Sequence, residues 1–563
     1  MMSFDDNDPN WLAILLCGLH EIDDRRQPLP VPKEPSRDDK LLKRFCPVLD
    51  SIARLMIYEP ENQVTAVAFR PTSAAHPPTF VLAQNTGVTD HVVKYITDLV
   101  SHLRMVRELY LQDNSVDKSF PERDDVPVVA GNAPLQAELN LGESTAIYHC
   151  WNKIKQRFSK DSRDERFRNL VADVLEGVAA DQRADCGAEE KRTLRALQSL
   201  SAADHKHLQK VSRRIASIGQ FLEHTRGQPD KGTGAFSEAD GWVLVGMRMD
   251  FHAIGKSMKD APHLWPLCTD YIRVRCPSEE DMNDDQKAAL QALTRQQREA
   301  MRPFDVTKWL SKVVSVTADY LVVRSVALSS TMAGALFDNR PLTVVRVPKA
   351  RAPAKIAEIS EEQLKATLVK VGWADIGNEE YAELVDKLRR TLKKSTGQTS
   401  AASVHSANGT ISGRVHPFVH CECALLAHLH DQGMGDIVAY VGVSKLSCWL
   451  CAMYFACYRE VTGTVINTRG THGRLVQWQM PALDDPDVGP RLREKMREKL
   501  VEKLKVRAAE VRTHHRNLSQ ITTASLPGSK ELMELPEEES EWNETHKMLA
   551  AGMLARNKRH KET

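Results

Sequence analysis

The run Val419-His420-Cys421-Glu422, followed 28 residues after its histidine by Cys448-Trp449-Leu450-Cys451, decides how this sequence is read. Zinc prefers nitrogen and sulfur donors in a tetrahedron, and a catalytic zinc keeps one position open for water. His420, Cys448 and Cys451 supply three such donors. Cys448 and Cys451 stand about one helical turn apart, so both thiolates can project from the start of one helix, where the helix dipole favours negative charge. Glu422 lies two residues after His420. It is read as a proton carrier rather than a ligand, taking a proton from an activated water and delivering it to the reacting substrate.

Around these motifs the pattern is consistent. Leu425, Leu426 and Leu429 give the first motif an inward-facing helix, and Met453, Phe455 and Tyr458 continue the second. Between them Asp436 to Val443 reads as a buried strand, so helix, strand and helix follow in order. Farther on, Thr464–Asn467 and Leu475–Trp478 read as short strands around Arg469-Gly470-Thr471-His472-Gly473. A purely structural site remains open as an alternative, with Cys421 or Cys423 joining His420, Cys448 and Cys451. Cys457 reads as a core residue, and His428 and His430 as surface or satisfied histidines.

A His-x-Glu with a later Cys-x-x-Cys is the signature of the zinc base deaminases. Val419–Glu422, Tyr440–Cys451, Thr468–Gly473 and Trp478 together resemble the fungal branch of the nucleic-acid/nucleotide deaminase-like superfamily, over roughly Arg414 to Pro481. That resemblance implies an α/β fold, a three-layer α/β/α cytidine-deaminase-like domain, here combined with a large mainly helical region. It implies one zinc ion per chain and hydrolytic deamination of cytosine or adenine in a nucleoside, nucleotide or single-stranded nucleic acid. It also allows a nucleic-acid mutator used in conflict or defence. Two positions depart from the superfamily pattern: Ser447 stands where proline usually precedes the first cysteine, and Cys421 stands where alanine is common. A non-catalytic, zinc-stabilised interaction protein is the alternative reading.

The implied fold opens with a hairpin before the His-x-Glu helix, but Lys393 to Gly413 is a Ser/Thr/Gly-rich linker. The best hairpin candidate is Val64–Phe69 with Thr79–Gln84, far upstream, and it ends in Asn85. In the superfamily an asparagine there often lines the substrate pocket. The organisation expected is therefore N-terminal helices to residue 60, a candidate first hairpin of the catalytic sheet at 61–88, and a helical insertion or cap at 89–395. A linker at 396–413, a zinc core at 414–485, an amphipathic helix at 486–515 and a flexible tail at 516–563 complete it. Asn85, Lys445, Ser447 and His472 are the candidate substrate contacts, with Lys445, Arg469 and Arg474 suited to a phosphate.

Composition sets bounds on partners. Across 563 residues, 76 Lys+Arg face 75 Asp+Glu, so no global basic field advertises nucleic acid. Five of the 11 cysteines fall between Cys421 and Cys457, which in a reducing compartment points to metal or catalytic chemistry before disulfides. The acidic start Met1-Met2-Ser3-Phe4-Asp5-Asp6 and the short apolar run Trp11–Cys17 give no signal peptide or membrane span. The expectation is an intracellular protein, cytoplasmic or nuclear. The narrow apolar stripe of the C-terminal helix, Leu492, Met496, Leu500, Leu504 and Ala508, suits docking on the body or self-association.

Overall fold

A computed structural model describes residues 8–22, 40–59, 63–112, 133–177, 187–224, 238–276, 302–337, 340–349, 355–359, 361–373, 376–394, 411–415 and 419–523, with a few isolated residues between. Residues 1–509 form one compact unit, and of the second, 510–563, the description covers the end of one helix. In chain order the helices are α1 (Pro9–Ile22), α2 (Lys40–Leu55), α3 (Asp90–Gln112), α4 (Ala133–His149), α5 (Trp151–Ser159) and α6 (Arg163–Leu175). Then come α7 (Ala188–Gln198), α8 (Ala202–His224), α9 (Glu238–Asp260), α10 (Leu264–Arg275), α11 (Val306–Val313) and α12 (Ser315–Leu328). The last six are α13 (Ser330–Leu336), α14 (Glu361–Lys370), α15 (Asn378–Lys394), α16 (Cys421–Asp431), α17 (Trp449–Thr462) and α18 (Val488–Thr523). The strands are β1 (Thr65–Arg70), β2 (Thr79–Gln84), β3 (Thr343–Arg346), β4 (Lys355–Ile359), β5 (Ile411–Val415) and β6 (Gly442–Val443).

The chain is mostly helical around a mixed four-stranded sheet of order β3-β2-β1-β6. β1 and β2 form an antiparallel hairpin with Thr65 opposite Gln84 and Arg70 opposite Thr79. β3 lies parallel to β2, so the connection from β2 to β3 carries the helices α3 to α13. β6 pairs antiparallel with β1, Ala66 opposite Val443 and Val67 opposite Gly442. The helix that begins after His420 packs on the upstream hairpin, and β6, which precedes the Cys-x-x-Cys helix, pairs with the same hairpin.

Alternation along the strands explains why they sit where they do. Val67, Phe69, Phe80 and Leu82 point to one face and join the main apolar core with Phe45, Leu49 and Ile52 of α2 and Val92 and Ile96 of α3. The Phe45 and Phe69 rings stack at 5.6 Å. Ala66, Ala68, Val81 and Ala83 are buried on the other face, where α16 packs against β1 and β2. Small side chains there let the helix carrying Glu422 approach the sheet closely.

Several expectations change. The run Asp436–Val443 forms a strand only at Gly442–Val443. Val438 N donates to Phe69 O at 2.8 Å, which is out of step with the Gly442–Val67 pairing, so extra residues bulge out at Ala439–Val441. The bulge leans the other way: Val441 N donates to Asn467 O at 2.8 Å. Thr464–Asn467 contributes one bridge, Tyr440 to Asn467, and a second joins Ser447 to Thr471. Leu475–Trp478 forms no strand.

The long helical patterns break at local turns. Apolar i, i+3, i+4 spacing runs through Glu143–Phe158, Glu189–His224 and Asp305–Ala327, and predicts one helix in each, but the first is split at Cys150, the second at 199–201 and the third at Val314. Of the linker, Ile411–Gly413 belongs to β5, which pairs with β4, while 395–410 lies outside the described residues. The C-terminal helix runs to Thr523, past residue 515, and the rest of the expected tail, 524–563, also lies outside them. Leu492, Met496, Leu500, Leu504 and Ala508 are buried within the chain itself. A fully buried leucine contributes roughly 1.5–3 kcal/mol.

Candidate metal centre and acid–base site

Both halves of the site sit at helix N-termini. His420 is the N-cap of α16, with extended backbone (φ −67°, ψ 143°). Cys448 is the N-cap of α17, and its Sγ accepts the Cys451 amide at 3.4 Å. A side-chain acceptor at this position satisfies a helix-end amide, and the dipole favours a thiolate. α17 ends at Gly463, whose φ of 72° is the left-handed cap that glycine accommodates.

His420 Nδ1 lies 3.1 Å from Cys451 Sγ and 3.5 Å from Cys448 Sγ, and the two sulfurs are 3.4 Å apart. Tetrahedral zinc with ordinary bond lengths would separate nitrogen and sulfur ligands by about 3.6 Å and two sulfurs by about 3.8 Å. The donors thus stand a few tenths of an ångström inside the spacing that one zinc would set. Among the described residues these three are the one group of His, Cys, Asp and Glu donors close enough to share an ion. Cys421 and Cys423, both buried, do not belong to it.

His420 Nε2 donates to the Gln477 carbonyl at 2.9 Å, so Nδ1 is the nitrogen that faces the sulfurs. The segment Leu475–Trp478 forms no strand, and it brings this carbonyl to the ring. A backbone carbonyl carries no residue-type signal, so nothing in the sequence marked Gln477.

His420 and Cys448 each favour the other's charged form. Burial opposes charge on His420, but the hydrogen bond and charge of Cys448, with help from Glu422, push its pKa up to about 9. Burial likewise opposes the Cys448 thiolate, but hydrogen bonds from Cys451 and His420 and the ring's charge bring it to about 6. Burial, with Cys423 and Cys448 beside it, holds the Cys451 thiol well above its ordinary value.

Glu422 is in the first turn of α16 and is buried. Its Oε2 accepts from the Cys421 thiol at 3.5 Å, and it lies within electrostatic reach of His420, Cys448 and His472. Ser447 and His472 belong to the same wall. Ser447 N donates to Gly470 O and His472 N donates to Ser447 O, each at 3.1 Å. Proline has no N–H and could not make the first of these bonds, which gives Ser447 a physical reason in place of the usual residue. Its hydroxyl is buried without a protein partner. Burial, then Arg474, lowers the His472 pKa, and its Nδ1 accepts the Arg474 amide at 3.1 Å.

Asn85 closes the open end of the β1–β2 hairpin, its Oδ1 accepting Val64 N at 2.8 Å. It lines a pocket with Lys349, Val419 and Cys421, so the hairpin end and the start of α16 face one space. Lys445 is exposed just beyond β6, and Arg469 lies 3.9 Å from Asp50. No helix among the described residues is long and apolar enough to cross a membrane.

A family model described as OTT_1508-like deaminase matches residues 419–482. That span holds both motifs and the loop through Trp478, and the likeness supports a deaminase-like superfamily relationship for this part of the chain. No curated protein and no solved structure matches the chain.

Proposed function

We propose that the chain is a zinc-dependent hydrolytic deaminase acting on the exocyclic amine of cytosine or adenine in a nucleoside, nucleotide or nucleic acid. The observation that carries this reading is a three-donor group, His420, Cys448 and Cys451, with Glu422 buried beside it and neither neighbouring cysteine included. Three protein ligands beside a carboxylate suit a catalytic zinc, whereas structural zinc takes four. When bound, zinc would lower the pKa of a water toward ~7 and make it a nucleophile.

The chain's own residues supply the rest. Gln477 fixes the ring orientation of His420, and the amide of Cys451 steadies Cys448. Glu422 accepts the proton that the water loses on attack and passes it to the ring nitrogen, then assists departure of ammonia. Asn85, which lines a pocket with Cys421, and Ser447 and His472, which are hydrogen-bonded to each other beside Cys448, carry groups that would suit the edge of a base.

Glu422→Gln tests the reading. It is expected to keep one zinc per chain while abolishing ammonia release from a panel of nucleosides, nucleotides and oligonucleotides. Stoichiometric zinc with no ammonia from any of these in the native protein would return the centre to a structural role in an interaction protein.

A further inference from the structure

One helix of the connection between β2 and β3 is apolar on two sides. Along α9, Leu244, Met247, Phe251 and Ile254 are buried and belong to the main core. Their spacing of three and four residues puts them on one face, as packing against a protein body requires. A second apolar row lies on the far side. Trp242 is 72% exposed, Val245 38% and Met249 57%. These recur at i, i+3 and i+7, and the exposed His252 and Lys256 continue the same row. Single exposed apolar residues are ordinary on a surface, but three on successive turns of one helix, with a tryptophan among them, mark a contact face.

The neighbouring helices flank this row without covering it. On one side is α8, where a Cβ added to Gly246 would lie 2.6 Å from Phe221 Cζ. On another is α4, where Arg248 Nη1 donates to Asn140 Oδ1 and His252 Nε2 donates to Glu143 Oε2 at 3.0 Å. Gly241 and Gly255 stand one residue before Trp242 and one before Lys256, and a Cβ added to either would meet nothing within 4 Å. Glycine inside a helix is less favourable than alanine, and the chain's own packing gives no reason for it at these two places. A second backbone approaching the row does.

The order of residues along the row decides what covers it. The apolar side chains come first, and His252 and Lys256 follow. Two copies paired in parallel would set Lys256 against Lys256, and like charges face to face are repelled. Paired antiparallel about an axis level with Met247, Val245 of one copy meets Met249 of the other, and Trp242 meets His252. Lys256, one turn beyond His252, then reaches the indole of Trp242, whose face attracts a cation. One two-fold operation matches both ends of the row, which is what an isologous contact needs. Size sets the strength. A tryptophan buries at most about 250 Å², so three side chains of even that size stay below the ~800 Å² per partner of a standard interface.

We propose that the outer face of α9 is a homodimer contact, in which two copies of the chain pair these helices antiparallel around Trp242, Val245 and Met249. The contact is reversible and of moderate affinity, with α4 and α8 supplying its rim. The self-association expected of the C-terminal helix falls here instead, because Leu492, Met496, Leu500 and Leu504 are buried within the chain itself.

Sedimentation equilibrium of the full-length protein tests this. It is expected to show a monomer–dimer equilibrium with a Kd between about 1 and 100 μM. Trp242→Glu and Met249→Glu each put a charge at the centre and should weaken the dimer at least about thirtyfold, the loss that a hot spot gives. Both positions are exposed in the single chain, so circular dichroism should show the fold unchanged. Trp242→Phe keeps an aromatic ring and should retain most of the association. Direction is read from the double variant Val245→Cys/Met249→Cys under mild oxidation: its covalent dimer should join position 245 of one copy to 249 of the other in peptide mass spectra. Links of 245 to 245 and 249 to 249 would mean parallel pairing and overturn the proposal. A chain that stays monomeric up to about 100 μM does the same, as does a dimer that neither glutamate variant weakens. A monomer whose Trp242 is shielded from acrylamide, read as the difference from Trp242→Phe, also overturns it and gives the face to the chain's own segment 225–237.

Discussion

The Asp50 carboxylate accepts the Tyr440 hydroxyl at 2.8 Å through Oδ2 and the Val443 amide at 2.9 Å through Oδ1. A helix near the N-terminus thereby clamps the bulged segment that leads from the His-x-Glu helix to the Cys-x-x-Cys helix. Arg469, 3.9 Å away, extends the clamp to the loop that packs on Ser447. Burial pushes the Asp50 carboxyl pKa up, against the pull of Arg54 and Arg469.

Asp50→Ala leaves the Tyr440 hydroxyl and the Val443 amide buried without their acceptor and takes the facing carboxylate from Arg469, while Arg54 keeps Asp319. Breaking such a buried charged group costs about 3–5 kcal/mol, a large part of the total stability of a domain. Asp50→Asn keeps one acceptor oxygen and is expected to lose less. Urea unfolding of the two variants checks the order Ala worse than Asn, and equal stabilities would contradict the clamp.

Gly442 tests the same junction by packing. A Cβ built there would lie 2.4 Å from the Leu49 carbonyl carbon and 2.5 Å from its oxygen, both backbone atoms of α2. Neither can swing aside, so β6 must part from α2 or β1. Gly442→Ala is expected to cost at least about 1–3 kcal/mol, the usual range for overpacking. It should also reduce zinc content, because α17 follows β6 directly. A variant as stable as the native protein would show that the strand does not approach the helix so closely.

The grouping of His420, Cys448 and Cys451 was legible because the candidate site's chemistry is local: each motif lies within one helical turn and needs particular residue types. The helices were legible from apolar spacing. Two features were not. The bulge at Ala439–Val441 arises from hydrogen bonds to Phe69 on one side and Asn467 on the other, and an apolar run such as Ile437–Val443 looks alike in a straight strand and a kinked one. The Asp50–Tyr440 bond joins residues 390 apart, and one aspartate in an amphipathic helix is indistinguishable from a solvated one. The hairpin at Val64–Gln84 could be found by its alternation and turn, but its pairing with β6 depends on tertiary contacts alone.

Metal binding separates the ligands from the other thiols. Zinc content is expected to stay near one per chain in Cys421→Ala and Cys423→Ala, and to fall toward zero in His420→Ala, Cys448→Ala and Cys451→Ala. Chelation of the native protein should lower its melting temperature, since a ligand at about a thousand times its Kd adds ~4 kcal/mol to the folded state. Elemental analysis with thermal unfolding reads both effects. Loss of zinc in Cys423→Ala would place a fourth sulfur on the ion.

His149 is 3% exposed, with its ring stacked on Tyr95 at 3.6 Å and 5° and against His91 at 4.9 Å. Burial, then His91 and Lys153, holds its pKa well below the ordinary value. In the unfolded chain the imidazole titrates near ~6.5. Above that pH both states leave it neutral and its stacking is fully stabilising. Below it the unfolded chain takes up a proton that the native ring refuses, so stability falls as pH falls, by about 1.4 kcal/mol per unit. His149→Phe keeps a ring of similar size and cannot titrate. Measured by urea unfolding from pH 7.5 to 5, the difference in stability between native protein and variant is expected to move steadily in the variant's favour below about pH 6.5. Parallel pH profiles would mean that His149 is protonated in the folded protein as readily as in the unfolded chain.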